Sequence, residues 1–167
     1  MAYAVVRTDN MDGTDVRAQL VSVMYMGSDG ETETEIENGH VVLLGELIDD
    51  EREIHSATDV AADSDLKDVV LIASPEVMYD ETKWSLDNFI NPAGVPARGY
   101  RIHEGSTFSV TKDALAGLDE PAVGNIVELA EGTQLNVAES ASGTQVGEIE
   151  RIETVGKYTF YTIRVTE

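Results

Sequence analysis

The sequence predicts a mainly β fold: a small β-barrel or β-sandwich with short helical turns and an N-terminal arm. Three observations lead there. Short runs rich in Val, Ile, Thr, Tyr and Phe recur at close intervals, Gly, Asn and Asp clusters separate them, and most of the helix potential is confined to the polar stretch 49–68. At 167 residues the chain has the length of one domain, or of one domain with an arm. The expected organisation is an arm with the first strands over 1–35 and a β-rich domain over 36–167. Its main internal boundary is expected at 91–97, where Pro92 and Pro96 stiffen a loop.

Residues 3–7 (Tyr-Ala-Val-Val-Arg) form the first candidate strand, ended by the turn formers of 9–13 (Asp-Asn-Met-Asp-Gly). The apolar run Leu20-Val21-Ser22-Val23-Met24-Tyr25-Met26 favours a second strand within 16–26, and 28–35 alternates Glu and Thr with nothing to bury. Glu37-Asn38-Gly39 offers the positive φ values of a tight hairpin before a buried strand at 40–47. In 49–68 the Asp and Ser residues suit turns as well as helix caps. The strongest strand signal is 68–73 (Asp-Val-Val-Leu-Ile-Ala), with Pro75 at its exit, and 84–90 suits a short helical turn. Strands are expected at 100–103 and 107–111, a helical turn at 112–116, and four more strands at 125–129, 134–138, 145–154 and 158–165. The alternating apolar residues of this last third, among them Ile149, Phe160 and Ile163, could close a small barrel or sandwich. Gly132-Thr133-Gln134 recurs as Gly143-Thr144-Gln145 without flanking similarity, which reads as two similar turns and not a repeat.

Charge bounds the partners. Eleven Lys and Arg against 32 Asp and Glu leave a net charge of −21, which repels phosphate backbones and anionic membranes, so neither nucleic acid nor membrane is an expected partner. The run 29–53 holds ten acids and one Arg, and only four residues of the chain are Lys. At molar salt the Debye length falls to about 3 Å, and such self-repulsion is screened. This composition resembles that of proteins from extreme halophiles; an ordinary acidic protein from an Arg-biased genome would share it. No stretch approaches the apolar length of a membrane-spanning helix, and the N-terminal residues lack the apolar core of an export signal. The chain has no Cys, which excludes disulfides, thiolate nucleophiles and cysteine metal sites.

No catalytic constellation emerges from spacing. His40, His55 and His103 stand apart, with no HExxH or HxH arrangement; His103-Glu104 beside Gly105 could line a pocket but lacks a companion nucleophile. There is no phosphate-cradling Gly-rich loop and no Gly-x-Ser-x-Gly elbow. Residues 9–15 cluster oxygens as a Ca²⁺ site would, but the EF-hand register places Thr8 first and Gln19 twelfth, where acids are needed, so an Asp/Asn-rich turn is the simpler reading. No cofactor, metal site or enzymatic activity is expected. A mainly β chain of this kind is more often a binding or assembly module.

The succession of segments at 36–47, at 68–75 followed by Met78-Tyr79-Asp80-Glu81, at 98–111 and over 123–167 resembles the auxiliary head proteins of tailed viruses, which decorate or cement a capsid. The chain is longer than the compact trimeric decoration proteins of lambda-like phages, and its acidity points to a haloarchaeal host. The resemblance implies a virion location on the outer capsid surface, with the major capsid protein as partner and self-association as a homo-oligomer, a trimer being one form. The runners-up are a tail or head-fibre module or a carbohydrate-binding β domain on the particle, and third a glycan hydrolase. Tyr3, Val5, Val6, Met24, Tyr25, Met26, Trp84 and Phe89 are the expected interface anchors, the N-terminal ones as an arm adding a strand to a coat sheet. Met24, Tyr25 and Met26, in an apolar run, and Trp84, the single Trp, nevertheless read more readily as core than as interface.

Overall fold

The structure, a computed structural model, describes residues 3–10, 19–80, 82 and 85–166. The fold is mainly β and is built from two sheets. The first is a closed five-stranded barrel of β2 (Leu20–Tyr25), β3 (Val41–Leu47), β4 (Ile54–Thr58), β5 (Val69–Ile72) and β6 (Ala97–Arg101), in the order β2-β4-β3-β5-β6. The second has seven strands: β1 (Val6–Asn10), β7 (Thr107–Val110), β8 (Leu115–Gly117), β9 (Ile126–Glu128), β10 (Leu135–Ala138), β11 (Gln145–Val155) and β12 (Tyr158–Val165), in the order β1-β7-β12-β11-β9-β10-β8.

β5 explains how the layers join. Its sequence, Val-Val-Leu-Ile, is apolar without alternation because both of its faces are covered. Val70 and Ile72 point into the barrel with Val23, Val42 and Ala57, while Val69 and Leu71 point the other way, into a larger core with Phe108, Val127 and Ile163 of the second sheet. Val41 and Val42 of β3 divide in the same way. The barrel interior is narrow and filled by small aliphatics. Gly99 of β6 belongs to that fit, since a Cβ there would stand 3.1 Å from both Val21 and Val70.

Several expectations are corrected. Residues 3–7 are no free arm: Val6 pairs with Val110 and Arg7 with Ser109, while Ala4, Val5 and Val6 are buried in the chain's own core. The consecutive apolar residues of the segment are used within the chain's own core. The expected break at 35/36 falls between β2 and β3, two strands of one barrel, and the chain passes from barrel to sheet between β6 and β7 and not at 91–97. The closed barrel is built from the first part of the chain, whereas the last third, where closure was expected, forms an open sheet. The polar stretch 49–68 contains β4, whose polar, mostly half-buried Ile-His-Ser-Ala-Thr, with only Ala57 buried, hid its β character, and a single 3-10 turn at Leu66–Asp68 capped by Asp65. Asn38-Gly39 makes no hairpin: only Gly39 has positive φ, and Ile36 is bridged to Asn91. The two Gly-Thr-Gln turns do share a task, because Gly132 pairs with Val60 and the Thr144 amide donates to the Ala62 carbonyl, so both turns brace the same barrel loop.

Candidate functional site

Where β5 leaves the barrel, the chain turns irregular. The Ala73 amide makes the last ladder bond, to the Arg98 carbonyl, and Pro75 has no N–H to continue it. Two buried asparagines take over. Asn38 accepts from the Ser74 amide at 2.9 Å and donates to the Ser74 carbonyl at 2.8 Å, so its side chain substitutes for a neighbouring strand. Asn91 donates to the Ile36 carbonyl at 2.9 Å and to Asn38 Oδ1 at 3.1 Å. Being 2% and 4% exposed, the two amides are shielded from competing water, and together they fix the segment after β5 against the segment before β6.

These two segments are the walls of an apolar groove of about 540 Å³. One wall presents Pro75, Val77, Met78 and Tyr79; the other presents Phe89, Ile90, Pro92, Val95 and Pro96. Val77 is 63% exposed, Val95 51% and Tyr79 97%, so large apolar side chains stand in water in a chain of charge −21. Asp80 is the one charged residue among those described in the groove. Val77 and Met78 also line an adjoining cleft of about 640 Å³ with Glu76, Ser85, Leu86 and Tyr158, and Leu86 is itself 40% exposed. The exposed apolar surface is therefore continuous across both.

At the far end Lys157 bonds Asp87 at 2.9 Å and Ser85 Oγ at 2.8 Å, and Ser85 and Tyr158 also bond Asp87. A Ser beside a Lys is the geometry of a nucleophile and its base. The electrostatics oppose that use: the hydrogen bond and charge of Asp87 hold the Lys157 ammonium above its ordinary pKa, so it keeps its proton and cannot take one from Ser85. Asp87 is lowered in turn, chiefly by its bonds from Ser85 and Lys157. The cluster pins the loop to the β11–β12 turn.

The histidines do not meet. His40 is mostly buried between barrel and sheet; its Nδ1 lies 2.9 Å from Thr133 Oγ1, and burial lowers its pKa to about 4. His55 Nδ1 bonds the Gly45 carbonyl at 3.0 Å. His103 borders a separate cleft where Lys67 is paired with Asp65 at 2.6 Å and Arg101 bonds the Lys67 carbonyl. Glu128 is the most buried carboxylate described, at 2% exposure. Burial raises its pKa, but the amides of Gly143 and Ser142, Asn136 and the Ser142 hydroxyl together outweigh this and leave it lowered. All its acceptors serve to hold the β10–β11 loop. Among the described residues no group of three or more His, Asp or Glu gathers to hold a metal. Most of the oxygen-rich stretch 9–15 lies outside the described residues.

Of the expected anchors among the described residues, only Phe89 lies in the groove. Val5 and Val6 are core residues and offer no surface, Tyr3 is half-buried with its amide on the Asp87 carbonyl, and Trp84 lies outside the described residues. Met24 and Met26 are half-buried; Tyr25 packs against the barrel interior and bonds Asp59 through its hydroxyl. Sequence reasoning missed Val77, Tyr79 and Val95. The available signal was 88–97, ten consecutive uncharged residues in a strongly acidic chain, with three prolines bounding the two walls. In comparison with known proteins, no family model matches the chain, and no curated protein and no solved structure matches it.

Proposed function

We propose that this chain is a non-enzymatic structural protein of a virion that decorates or cements the capsid by binding the major coat protein lattice. The observation that carries the reading is the exposed apolar groove between 75–79 and 89–96, whose walls are held by Asn38 and Asn91 on a closed barrel. A rigid groove is a preorganised docking surface, because little side-chain or loop freedom is lost on binding. The order of segments that resembles auxiliary head proteins supports the same role, and the acidic, Lys-poor surface suits a haloarchaeal host. Capsid shells of the encoding virus, stripped of this protein and sedimented with it in molar salt, should carry it into the pellet. Recovery in the supernatant at all concentrations would remove the proposal. The 97% exposure of Tyr79 favours a second reading, a carbohydrate-binding module on the particle, since an open aromatic face stacks on sugar rings. A glycan array separates the two.

A further inference from the structure

We infer that the groove is built for an extended partner segment with an apolar centre flanked by Arg or Lys, contributed by a partner other than a second copy of this chain. The inference rests on the docking role proposed above and names the chemistry of its occupant. Shape sets the centre: Val77, Tyr79, Phe89 and Val95 line a channel of about 540 Å³, a size that accepts one or two large apolar side chains. The barrel beside it is closed, and Pro75, Pro92 and Pro96 carry no N–H, so strand addition is not offered there and side chains must supply the affinity. Charge sets the flanks. Asp80 lines the groove, Glu76 lines the adjoining cleft, and Glu33 lies behind Gly94, its carboxylate 2.9 Å from where a Cβ of that residue would stand. Arg98 is the only Lys or Arg among the described residues lining the groove or the neighbouring cleft beyond Pro96. A second copy would set an identical acidic rim directly against this one, at contact range where salt screens least, whereas flanking cations are complementary to it.

The test uses the full chain and two labelled peptides, one with a Val-Phe-Val centre flanked by arginines and one with glutamates in their place, read by fluorescence anisotropy from low to molar salt. The arginine peptide should bind, its affinity falling as salt rises, and the glutamate peptide should not. Val77→Ser with Val95→Ser, both at exposed positions, should weaken binding by about tenfold or more at every salt concentration, since two apolar contacts are removed. Asp80→Asn with Glu76→Gln should weaken it chiefly at low salt. Equal binding of both peptides, or no effect of the valine substitutions, overturns the inference. So does a dimer that strengthens with salt in sedimentation velocity and dissolves in the valine variant, which would make a second copy the occupant. If the wild type and the valine variant pellet equally with capsid shells, the groove inference falls and the capsid reading stands; if the peptides behave as expected while the wild type ignores the shells, the reverse holds.

Discussion

The barrel and the seven-stranded sheet solve the same problem by opposite means. The barrel closes β2 onto β6 and so leaves no unpaired strand edge, which confines its interior to small side chains such as Val23, Val42, Ala57 and Ala97. The sheet stays open, ends in β1 and the three-residue β8, and gains its core from length: the β11–β12 hairpin runs from the buried Val146 and Ile149 out to an exposed turn, with a bulge at Glu150 that shifts its register. Closure therefore produces a rigid support with irregular loops around it, and those loops carry the exposed apolar groove. Openness produces a broad floor whose strands carry the charge pairs Arg164–Glu148 and Arg7–Glu153. The difference teaches that the apolar surface available to a partner comes from the segments that enter and leave the closed layer.

The sharpest way to break the comparison is a glycine in each layer. At Gly147 a Cβ would run into the Arg164 carbonyl, a backbone atom that cannot move without parting β11 from β12. At Gly45 its nearest neighbour is the Ser56 side chain, which can rotate, although the Ser56 carbonyl lies at 3.1 Å. Gly147→Ala should therefore cost more than about 3 kcal/mol and Gly45→Ala only about 1, measured by urea unfolding. Equal losses would show that β11 and β12 yield as easily as the barrel does.

Next come the two faces of β5. Leu71→Ala opens a cavity at the junction of the layers and Ile72→Ala one inside the barrel, each expected to cost about 2 to 5 kcal/mol. Because the shared core couples the layers, both should lower a single calorimetric transition. A split transition in Leu71→Ala alone would show barrel and sheet to be separable folding units.

A smaller effect follows from His40 at that junction. Its folded pKa of about 4 lies below the ordinary 6.5, so between these values the unfolded chain binds a proton that the folded chain refuses. Its contribution is complete above about pH 6.5, declines as pH falls, and is gone below about pH 4, amounting to at most about 3 kcal/mol. His40→Asn should flatten that window relative to wild type; parallel stability curves would place the proton elsewhere. The smallest effect is expected from the exposed Asp87–Lys157 pair, where Asp87→Asn should lower the melting temperature slightly in dilute buffer and not at molar salt.

How much of this was legible follows from which interactions are local. The Val-Val-Leu-Ile run of β5, the alternation of β12 and the turn residues around them are written within a few positions, so strand identity could be read directly. β4 could not, because Ile-His-Ser-Ala-Thr becomes a strand only by pairing with β2 on one side and β3 on the other. The groove was legible only as an uncharged stretch and three prolines. Its walls come from segments separated in sequence, and the bonds that hold them run from Asn38 to Ser74 and from Asn91 to Ile36. By itself the sequence determined the β class, the acidic, cysteine-free surface and most strand positions, since composition and periodicity act residue by residue. Tertiary structure alone decided which strands close, that β1 belongs to the core, and where apolar surface remains exposed, because strand order and burial depend on contacts between residues far apart in the chain.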